Sequence, residues 1–205
     1  MTRVTSDMSM SLDGFIAGPN VSMERPLGGG GRRIHEWAFG LASWRKLQGF
    51  VGGESTPDSE MVQESFQKVG AVIIGRRMFS HGRHIWGDIP PFHASVFVLS
   101  HEAHEPIPKA GGTTYTFVTD GIESALEQAR VAAGEKNVSV GGGANVVQQY
   151  LAAGLLDEIQ VHLVPVLIGT GVRLFEHTGP GHIELEVLEV MNSPTVTHLR
   201  YRVTR

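Results

Sequence analysis

The chain has 205 residues, of which 41% are apolar and 19% charged, a composition typical of a folded globular protein and not of a disordered one. Its formal net charge is −4, from 17 Lys and Arg and 21 Asp and Glu residues, which excludes the strongly basic surface that nonspecific nucleic-acid binding requires. The absence of cysteine excludes disulfides and thiol catalysis and favours a cytoplasmic protein. No apolar run is long enough to span a bilayer, so we expect no membrane partner.

The amino-terminal quarter begins with a strand and continues into a glycine-rich segment. Residues 3–12 alternate with period two, which predicts a strand that ends at the turn Asp13-Gly14. Residues 18–32 have the composition of a loop, and the apolar spacing over 33–47 predicts one amphipathic helix. We interpret residues 19–58 as an insertion in a single domain that covers the whole chain.

The rest of the chain alternates short apolar runs with helical patterns. Continuous apolar runs bounded by turns predict strands that are buried on both faces, as in a parallel sheet with helices on each side. The carboxyl-terminal residues instead predict an antiparallel hairpin. The predicted strands are 71–74, 95–99, 114–118, 138–140 and 158–168, followed by the hairpin strands 183–190 and 195–203.

Three glycines mark the first candidate site, at Gly141, Gly142 and Gly143. A predicted strand precedes them, and a predicted helix follows, so backbone N–H groups and the positive end of the helix dipole meet there. This arrangement suits a pyrophosphate group. A tight strand-to-helix turn without a ligand explains the same residues equally well, and neither a G-x-G-x-x-G motif nor a P-loop motif is present.

Two further strand ends carry residues that suit an anion. Gly75 is followed by Arg76 and Arg77 where a helix begins, and Ser100 and His101 follow the next predicted strand. Because ligands of open α/β sheets gather at the carboxyl ends of strands, these residues could contact a nucleotide phosphate. The alternative is that the two arginines are solvated surface charges.

The order of these pieces resembles the dihydrofolate reductase-like reductases, and above all the branch that contains the C-terminal reductase domain of bacterial riboflavin biosynthesis. The resemblance covers nearly the whole chain. It rests on the ordered set of segments 11–18, 74–79, 98–100, 140–143, 156–159 and 163–169.

The resemblance implies a three-layer α/β fold with a mixed, mostly parallel central sheet, helices on both faces and a C-terminal antiparallel hairpin. It also implies an NADPH-dependent reductase that acts on a small heterocyclic or pathway metabolite, of the riboflavin or pterin type, and that forms a homodimer. The cofactor-binding residues that it implies are Ile16, Ala17, Gly75, Arg76, Arg77, Met78, Ser100, His101, Gly141, Gly142, Gly143, Ala144, Asn145 and Val146.

Two residues are candidates for the catalytic groups. Asp13 would supply the carboxylate of the site, although a turn-forming aspartate before Gly14 is the competing explanation. His162 lies on a predicted central strand, where relatives place a polar residue that faces the substrate, although a structural histidine is the alternative. The run from Gly28 to Arg33 suits either a substrate anion or a flexible loop.

Histidine pairs at a spacing of three occur at His81 and His84 and at His101 and His104, but no third ligand follows, so we expect no metal site. Two other functions stay open beside the reductase. The chain could be a non-catalytic nucleotide-binding protein of the same fold, or a reductase that uses a flavin or deazaflavin carrier.

Overall fold

The protein alternates strands and helices along most of the sequence, and the computed structural model describes residues 2–179 and 181–204. Within them the strands are β1 Val4–Ser11, β2 Phe15–Ala17, β3 Val69–Gly75, β4 Ser95–Leu99, β5 Ile107–Pro108, β6 Thr114–Val118, β7 Asn137–Gly142, β8 Glu158–Val164, β9 Val172–Arg173, β10 Glu184–Asn192 and β11 Thr197–Thr204. The helices are α1 Glu36–Phe39, α2 Ala42–Leu47, α3 Pro57–Lys68, α4 Arg76–Trp86, α5 Ile122–Ala133 and α6 Ala144–Ala152.

The chain divides into two units, and β7 contributes three residues to each. The first unit is Glu36–Ser139 with Thr2, and the second is Arg3–His35 with the described residues from Val140 onward. The predicted α/β fold with a mixed, mostly parallel sheet is confirmed, whereas the single domain and its insertion stay predictions.

In the first unit the strands pair in the order β3-β4-β6-β5, with β3, β4 and β6 parallel and the short β5 antiparallel at the end. Apolar side chains of β3 and β4 pack with Phe79 and Tyr115 into a buried core. Both faces of these strands are buried, which explains why their sequences are continuously apolar and do not alternate with polar residues.

In the second unit the order is β10-β11-β8-β1. The pair β1–β8 is parallel, and β11 runs antiparallel to both β8 and β10. This confirms the predicted C-terminal hairpin. A small separate sheet pairs β2 with β9.

The predicted helix over 33–47 is wrong, because the segment is broken into a 3-10 turn at Gly31–Ile34, then α1, then α2. The break lies at Gly40 and Leu41. The Gly40 carbonyl accepts a hydrogen bond from the Glu54 N–H at 2.8 Å, and the Ala42 N–H donates to the Glu54 carbonyl at 2.9 Å. These backbone groups therefore close a loop over 40–54 instead of continuing a helix.

Trp37 and Trp44 of this segment pack with Phe66 of α3, where the ring centroids of Trp44 and Phe66 are 6.4 Å apart. The start of α3 follows from its sequence, because the Thr56 side chain accepts the Ser59 N–H and Pro57 occupies the first turn.

The predicted strand over 158–168 is also too long, since β8 ends at Val164. Pro165 follows it and has no N–H to continue the ladder. In the part of the chain that the structure describes, no helix has both the length and the apolar character that crossing a bilayer requires.

Candidate functional site

The first group of predicted site residues lies in the first unit at the carboxyl ends of β3 and β4. Gly75 is the last residue of β3 and pairs with Leu99, so Arg76 and Ser100 follow neighbouring strand ends. This placement puts the Gly75–Met78 segment and the Ser100–His101 segment at neighbouring strand ends.

The two arginines differ in their surroundings. Arg76 donates a hydrogen bond to the Ser80 hydroxyl at 2.9 Å, and its guanidinium lies 5.4 Å from the Phe79 ring centroid and 5.7 Å from that of Phe117. Arg77 is exposed. The guanidinium of Arg76 is therefore held in place by its neighbours, whereas that of Arg77 extends into solvent.

Ser100 uses its hydroxyl within its own turn. The hydroxyl donates to the Glu102 carbonyl at 2.8 Å and accepts the Glu102 N–H at 3.1 Å, and the adjacent His101 is exposed. The serine thus shapes the turn that presents His101.

The glycine loop lies in the second unit, from Gly141 to the start of α6. Gly142 has a φ of 115°, a conformation that favours glycine, and the Gly142–Gly143 peptide bond is cis. Gly143 has an ordinary φ of −72° and gives α6 no side-chain cap, and a Cβ built on it would meet no atom within 4 Å. The helix α6 therefore begins next to an open space at Gly143, and its first turn carries the backbone N–H donors of Ala144 and Asn145.

Ile16 and Ala17 are buried in β2, beside a crossing of glycine-rich backbone. A Cβ on Gly18 would lie 1.8 Å from the Gly29 carbonyl oxygen, and one on Gly171 would lie 2.1 Å from the Ala17 carbonyl oxygen. Within the 28–31 run, a Cβ on Gly28 would lie 2.3 Å from the Gly18 carbonyl oxygen, and one on Gly31 would lie 2.8 Å from the Gly18 nitrogen. Close backbone packing therefore explains these two glycines without a substrate anion.

Asp13 links the turn after β1 to the segment after β8 through hydrogen bonds. Its carboxylate accepts hydrogen bonds from the Gly169 N–H at 2.7 Å, the Ile168 N–H at 3.1 Å and the Ser11 hydroxyl at 2.6 Å. The Ser11 hydroxyl, with these backbone donors, lowers the pKa of Asp13 to about 2 against a desolvation effect that raises it. Asp13 is thus ionised at neutral pH and has no proton to deliver there.

His162 lies buried on β8 between two polar partners that the sequence analysis missed. Its Nε2 contacts the Asp7 carboxylate on β1, and its Nδ1 lies 2.7 Å from Nδ1 of His198 on β11. The exposed fraction of the whole residue is 5% for His162 and 3% for His198, whereas that of the Asp7 side chain is 35%. Both ring nitrogens of His162 therefore already have partners inside the protein.

His35 follows the 3-10 turn and stands within electrostatic reach of His162. The pKa of His35 is lowered to about 4, chiefly by burial and to a smaller extent by His162, while a hydrogen bond to the Ile16 backbone acts in the opposite direction. Its buried Nε2 has no hydrogen-bond partner among the described residues. The imidazole is therefore neutral at pH 7, and its Nε2 is a buried acceptor.

The described residues contain no group of three or more His, Cys, Asp or Glu side chains positioned to hold a metal ion. The alternation of apolar and polar residues along β1 and β8 does predict that Asp7 and His162 lie on the polar faces of their strands. The register that places His198 opposite His162 cannot be obtained from that pattern.

Comparison with known proteins assigns the family. The profile of the RibD C-terminal domain matches residues 2–199. The chain belongs to this family. A relative from Bacillus subtilis, the uncharacterized protein YwjB, is 25% identical over 113 residues, which are 54% of this chain and 60% of YwjB.

Solved structures agree on the fold. A Shewanella sp. PV-4 protein, provisionally assigned to riboflavin biosynthesis, is 21% identical and superposes over 100% of both chains with a TM-score of 0.72. A bifunctional deaminase and 5-amino-6-(5-phosphoribosylamino)uracil reductase from Thermotoga maritima is 15% identical, covers 99% of this chain and 57% of its own, and has a TM-score of 0.61. Dihydrofolate reductase from Enterococcus faecalis, complexed with NADP(H), is 11% identical with a TM-score of 0.53, over 99% of this chain and 97% of its own. The predicted dihydrofolate reductase-like fold is confirmed.

Proposed function

We propose that the protein is an NADPH-dependent reductase that transfers a hydride to a small heterocyclic metabolite of the riboflavin or pterin type. Membership of the RibD C-terminal domain family supports a reductase. The observation that carries the cofactor assignment is Gly143, a glycine of ordinary φ with open space before an uncapped helix. Neither its φ nor a neighbouring atom requires a glycine there, whereas the close approach of a pyrophosphate does.

Each unit, taken by itself, offers residues that suit a part of such a cofactor. In the first unit, the exposed Arg77 and His101 suit the 2′-phosphate, and Arg76 is held rigidly where β3 ends. In the second unit, Gly141–Val146 suit the pyrophosphate, and the buried Ile16 and Ala17 suit the nicotinamide end. When bound, the reduced nicotinamide supplies the hydride, and the protein supplies position and charge.

The decisive experiment is calorimetric titration of NADPH into wild type, Gly143→Ala and Gly181→Ala. A Cβ built on either glycine would meet no described atom within 4 Å, so we expect both variants to retain the fold, which thermal unfolding verifies. We expect Gly143→Ala to weaken NADPH at least tenfold, about 1.4 kcal/mol, and Gly181→Ala to leave it unchanged. Wild type that binds no NADPH, or two variants of equal affinity, would contradict the proposal.

The choice between NADPH and NADH depends on the arginines. A charge-assisted contact to the 2′-phosphate contributes about 1.5–3 kcal/mol, so Arg77→Ala should weaken NADPH and leave NADH nearly unchanged. Arg76→Ala, which also removes the contacts with Ser80 and Phe79, should weaken both. A parallel titration with flavins tests the alternative carrier, because tighter binding of a flavin than of NADPH would favour it.

We also propose a homodimer that buries the apolar face of the β10–β11 hairpin. Leu185, Val187 and Val190 share this face and are 41%, 60% and 58% exposed. Such a group of adjacent exposed apolar side chains is typical of an interaction surface. Contact with a second copy around a twofold axis would cover them. Light scattering should give the mass of two chains for wild type and for the control Val131→Lys, and of one chain for Val187→Lys. A wild-type mass of one chain would contradict the dimer.

A further inference from the structure

The inner face of α6 carries a buried glutamine. Gln148 is 5% exposed and lies in the helix beside the buried apolar residues Val147 and Leu151. Its Nε2 donates to the Arg173 carbonyl at 3.2 Å and to the Leu174 carbonyl at 3.0 Å. A primary amide nitrogen has two N–H groups, so both donors of the glutamine are used on two successive backbone carbonyls. The glutamine therefore links α6 to the end of β9 within the second unit.

The strand β9 pairs in turn with β2 in the small sheet. Phe15 is the register partner of Arg173, and the Leu174 N–H donates to the Gly14 carbonyl at 3.0 Å. Leu174 is fully buried, and it directs its N–H to the turn before β2 and its carbonyl to α6. Strands of three and two residues are too short to be stable by themselves, so the position of this sheet depends on the contacts that anchor it.

The Arg173 side chain holds the two strands of this sheet together. Its guanidinium carbon lies 4.5 Å from the Phe15 ring centroid, and its Nη1 donates to the Asp13 carbonyl at 3.1 Å. A Cβ on Gly14 would lie 3.3 Å from that nitrogen, so the glycine leaves room for the arginine. Arg173 therefore links β9 to β2 through its side chain and links β9 to α6 through its carbonyl.

We propose that Gln148 and Arg173 are positioning residues, which together form a brace that holds β2 at a fixed distance from the start of α6. This inference rests on the proposed function, in which the start of α6 receives the pyrophosphate and Ile16 and Ala17 of β2 receive the nicotinamide end. A ligand that contacts both ends gains affinity from the brace, because β2 is ordered before the ligand binds. A ligand that contacts only the α6 end gains nothing from it.

Other contacts anchor β2 to different parts of the second unit. The Phe15 N–H donates to the Ser11 hydroxyl on β1 at 2.9 Å, and His35, after the 3-10 turn, makes a hydrogen bond to the Ile16 backbone. These contacts reach β1 and the 3-10 turn, whereas Gln148 reaches α6. Removal of the glutamine donors should therefore leave β2 in the fold and loosen only its spacing from α6.

The first test is amide hydrogen exchange of the protein without ligand, measured by NMR. Gln148→Met retains an unbranched side chain but has no donor, and we expect it to speed exchange of the Leu174 N–H about tenfold, because the segment is released from α6. The control is Gln128→Met, since Gln128 is an exposed glutamine of α5 that donates to the Ser124 hydroxyl at 3.2 Å. Thermal unfolding verifies that each variant is folded. Wild-type exchange in Gln148→Met would overturn the proposal.

The second test compares two ligands by calorimetric titration: NADPH, and 2′-phospho-ADP-ribose, which lacks the nicotinamide ring. We expect Gln148→Met to weaken NADPH about tenfold and to leave 2′-phospho-ADP-ribose unchanged, because only NADPH contacts both ends of the brace. Gln128→Met should change neither affinity. Equal losses for the two ligands would show that the glutamine only supports the fold of α6, and an unchanged NADPH affinity would show that the spacing has no effect. Either result would overturn the proposal.

Arg173→Met tests the brace at its exposed residue, where a substitution leaves no buried cavity. It should also weaken NADPH and spare 2′-phospho-ADP-ribose, and Arg202→Met, which removes an exposed arginine paired with Glu186 in the same unit, controls for the lost charge. Weaker binding of both ligands to Arg173→Met alone would show direct contact with a phosphate and overturn the positioning role. Wild type that binds neither ligand would contradict the proposed function, while the exchange result still decides whether Gln148 anchors β9 to α6.

Discussion

The two units bury different types of side chain, aromatic in the first and imidazole in the second. The first unit encloses an aromatic cluster. In it the ring centroid of Phe79 lies 5.0 Å from that of Tyr115 and 5.1 Å from that of Phe117, and both pairs are edge-to-face. The second unit buries the imidazoles of His162 and His198, and His35, whose pKa is lowered, lies within electrostatic reach of His162. Apolar packing is insensitive to pH, whereas buried imidazoles are linked to it, so one protein contains a region built for stability and a region whose charge can change.

The largest expected effect is the loss of packing in the aromatic cluster. Phe79 is 2% exposed, and Phe79→Ala should lower the free energy of unfolding by about 3–5 kcal/mol, because it removes a buried ring and leaves a cavity. The loss, measured by urea unfolding, should be equal at pH 5 and pH 8. A loss that depends strongly on pH would break the contrast between the units.

The next effect is the pH dependence that His35 confers on the second unit. Its pKa is lowered from 6.5 to about 4 in the folded protein, so the unfolded chain binds the extra proton between these values. Stability is therefore full above pH 6.5 and falls by about 1.4 kcal/mol for each pH unit towards pH 4.

His35→Asn tests this dependence, because asparagine retains a donor for the Ile16 carbonyl but does not titrate. Urea unfolding at pH 7 and pH 5 should show a smaller difference for the variant than for wild type. Equal differences for the two proteins would remove His35 from the pH-sensitive region.

A smaller effect, on the stability of the first unit, should sharpen the contrast between the two units. The Tyr115 hydroxyl is buried without a hydrogen-bond partner among the described residues, and burial raises the pKa of this phenol. Tyr115→Phe should raise the free energy of unfolding by about 1 kcal/mol, since an unsatisfied hydroxyl is removed while the ring remains. A loss of stability would show that the hydroxyl has a role that the packing does not reveal.

The smallest effect concerns Asp13, whose carboxylate is at the surface. Asp13→Asn retains one acceptor where the carboxylate offers two, so we expect a modest decrease in the melting temperature at pH 7. Since the pKa of Asp13 is about 2, this stabilisation is present above pH 3.8 and is lost as the pH falls towards 2. The difference between the proteins should therefore diminish over that range.

The two units also differ in how much of them the sequence predicts. The strands β3 and β4 follow from uninterrupted apolar runs, and the helix after Gly75 begins where expected, because these signals are local. The histidine pair depends on residues 162 and 198, which come together only through strand register. No local pattern encodes that register.

The wrong helix over 33–47 has a related cause. Its apolar spacing is real, since Trp37, Leu41 and Trp44 all contribute to one core cluster. The backbone at Gly40 instead pairs with Glu54, fourteen residues later, and that pairing interrupts the helix. Periodicity reports which side chains are buried, but not whether one continuous element carries them.

The glycine crossing at the base of the 18–29 segment has a consequence for loop exchange. The Gly18 N–H donates to the Leu27 carbonyl at 2.9 Å, and the Gly29 N–H donates to the Pro19 carbonyl at 2.7 Å, so the two ends of the loop are joined by backbone alone. The Gly28 N–H also donates to the Arg25 carbonyl at 2.9 Å, so the junction includes residue 25, and the residues before it are those that can change without altering it. A library that replaces residues 20–24 while retaining Arg25 and the flanking glycines would therefore graft new tips onto an unchanged scaffold.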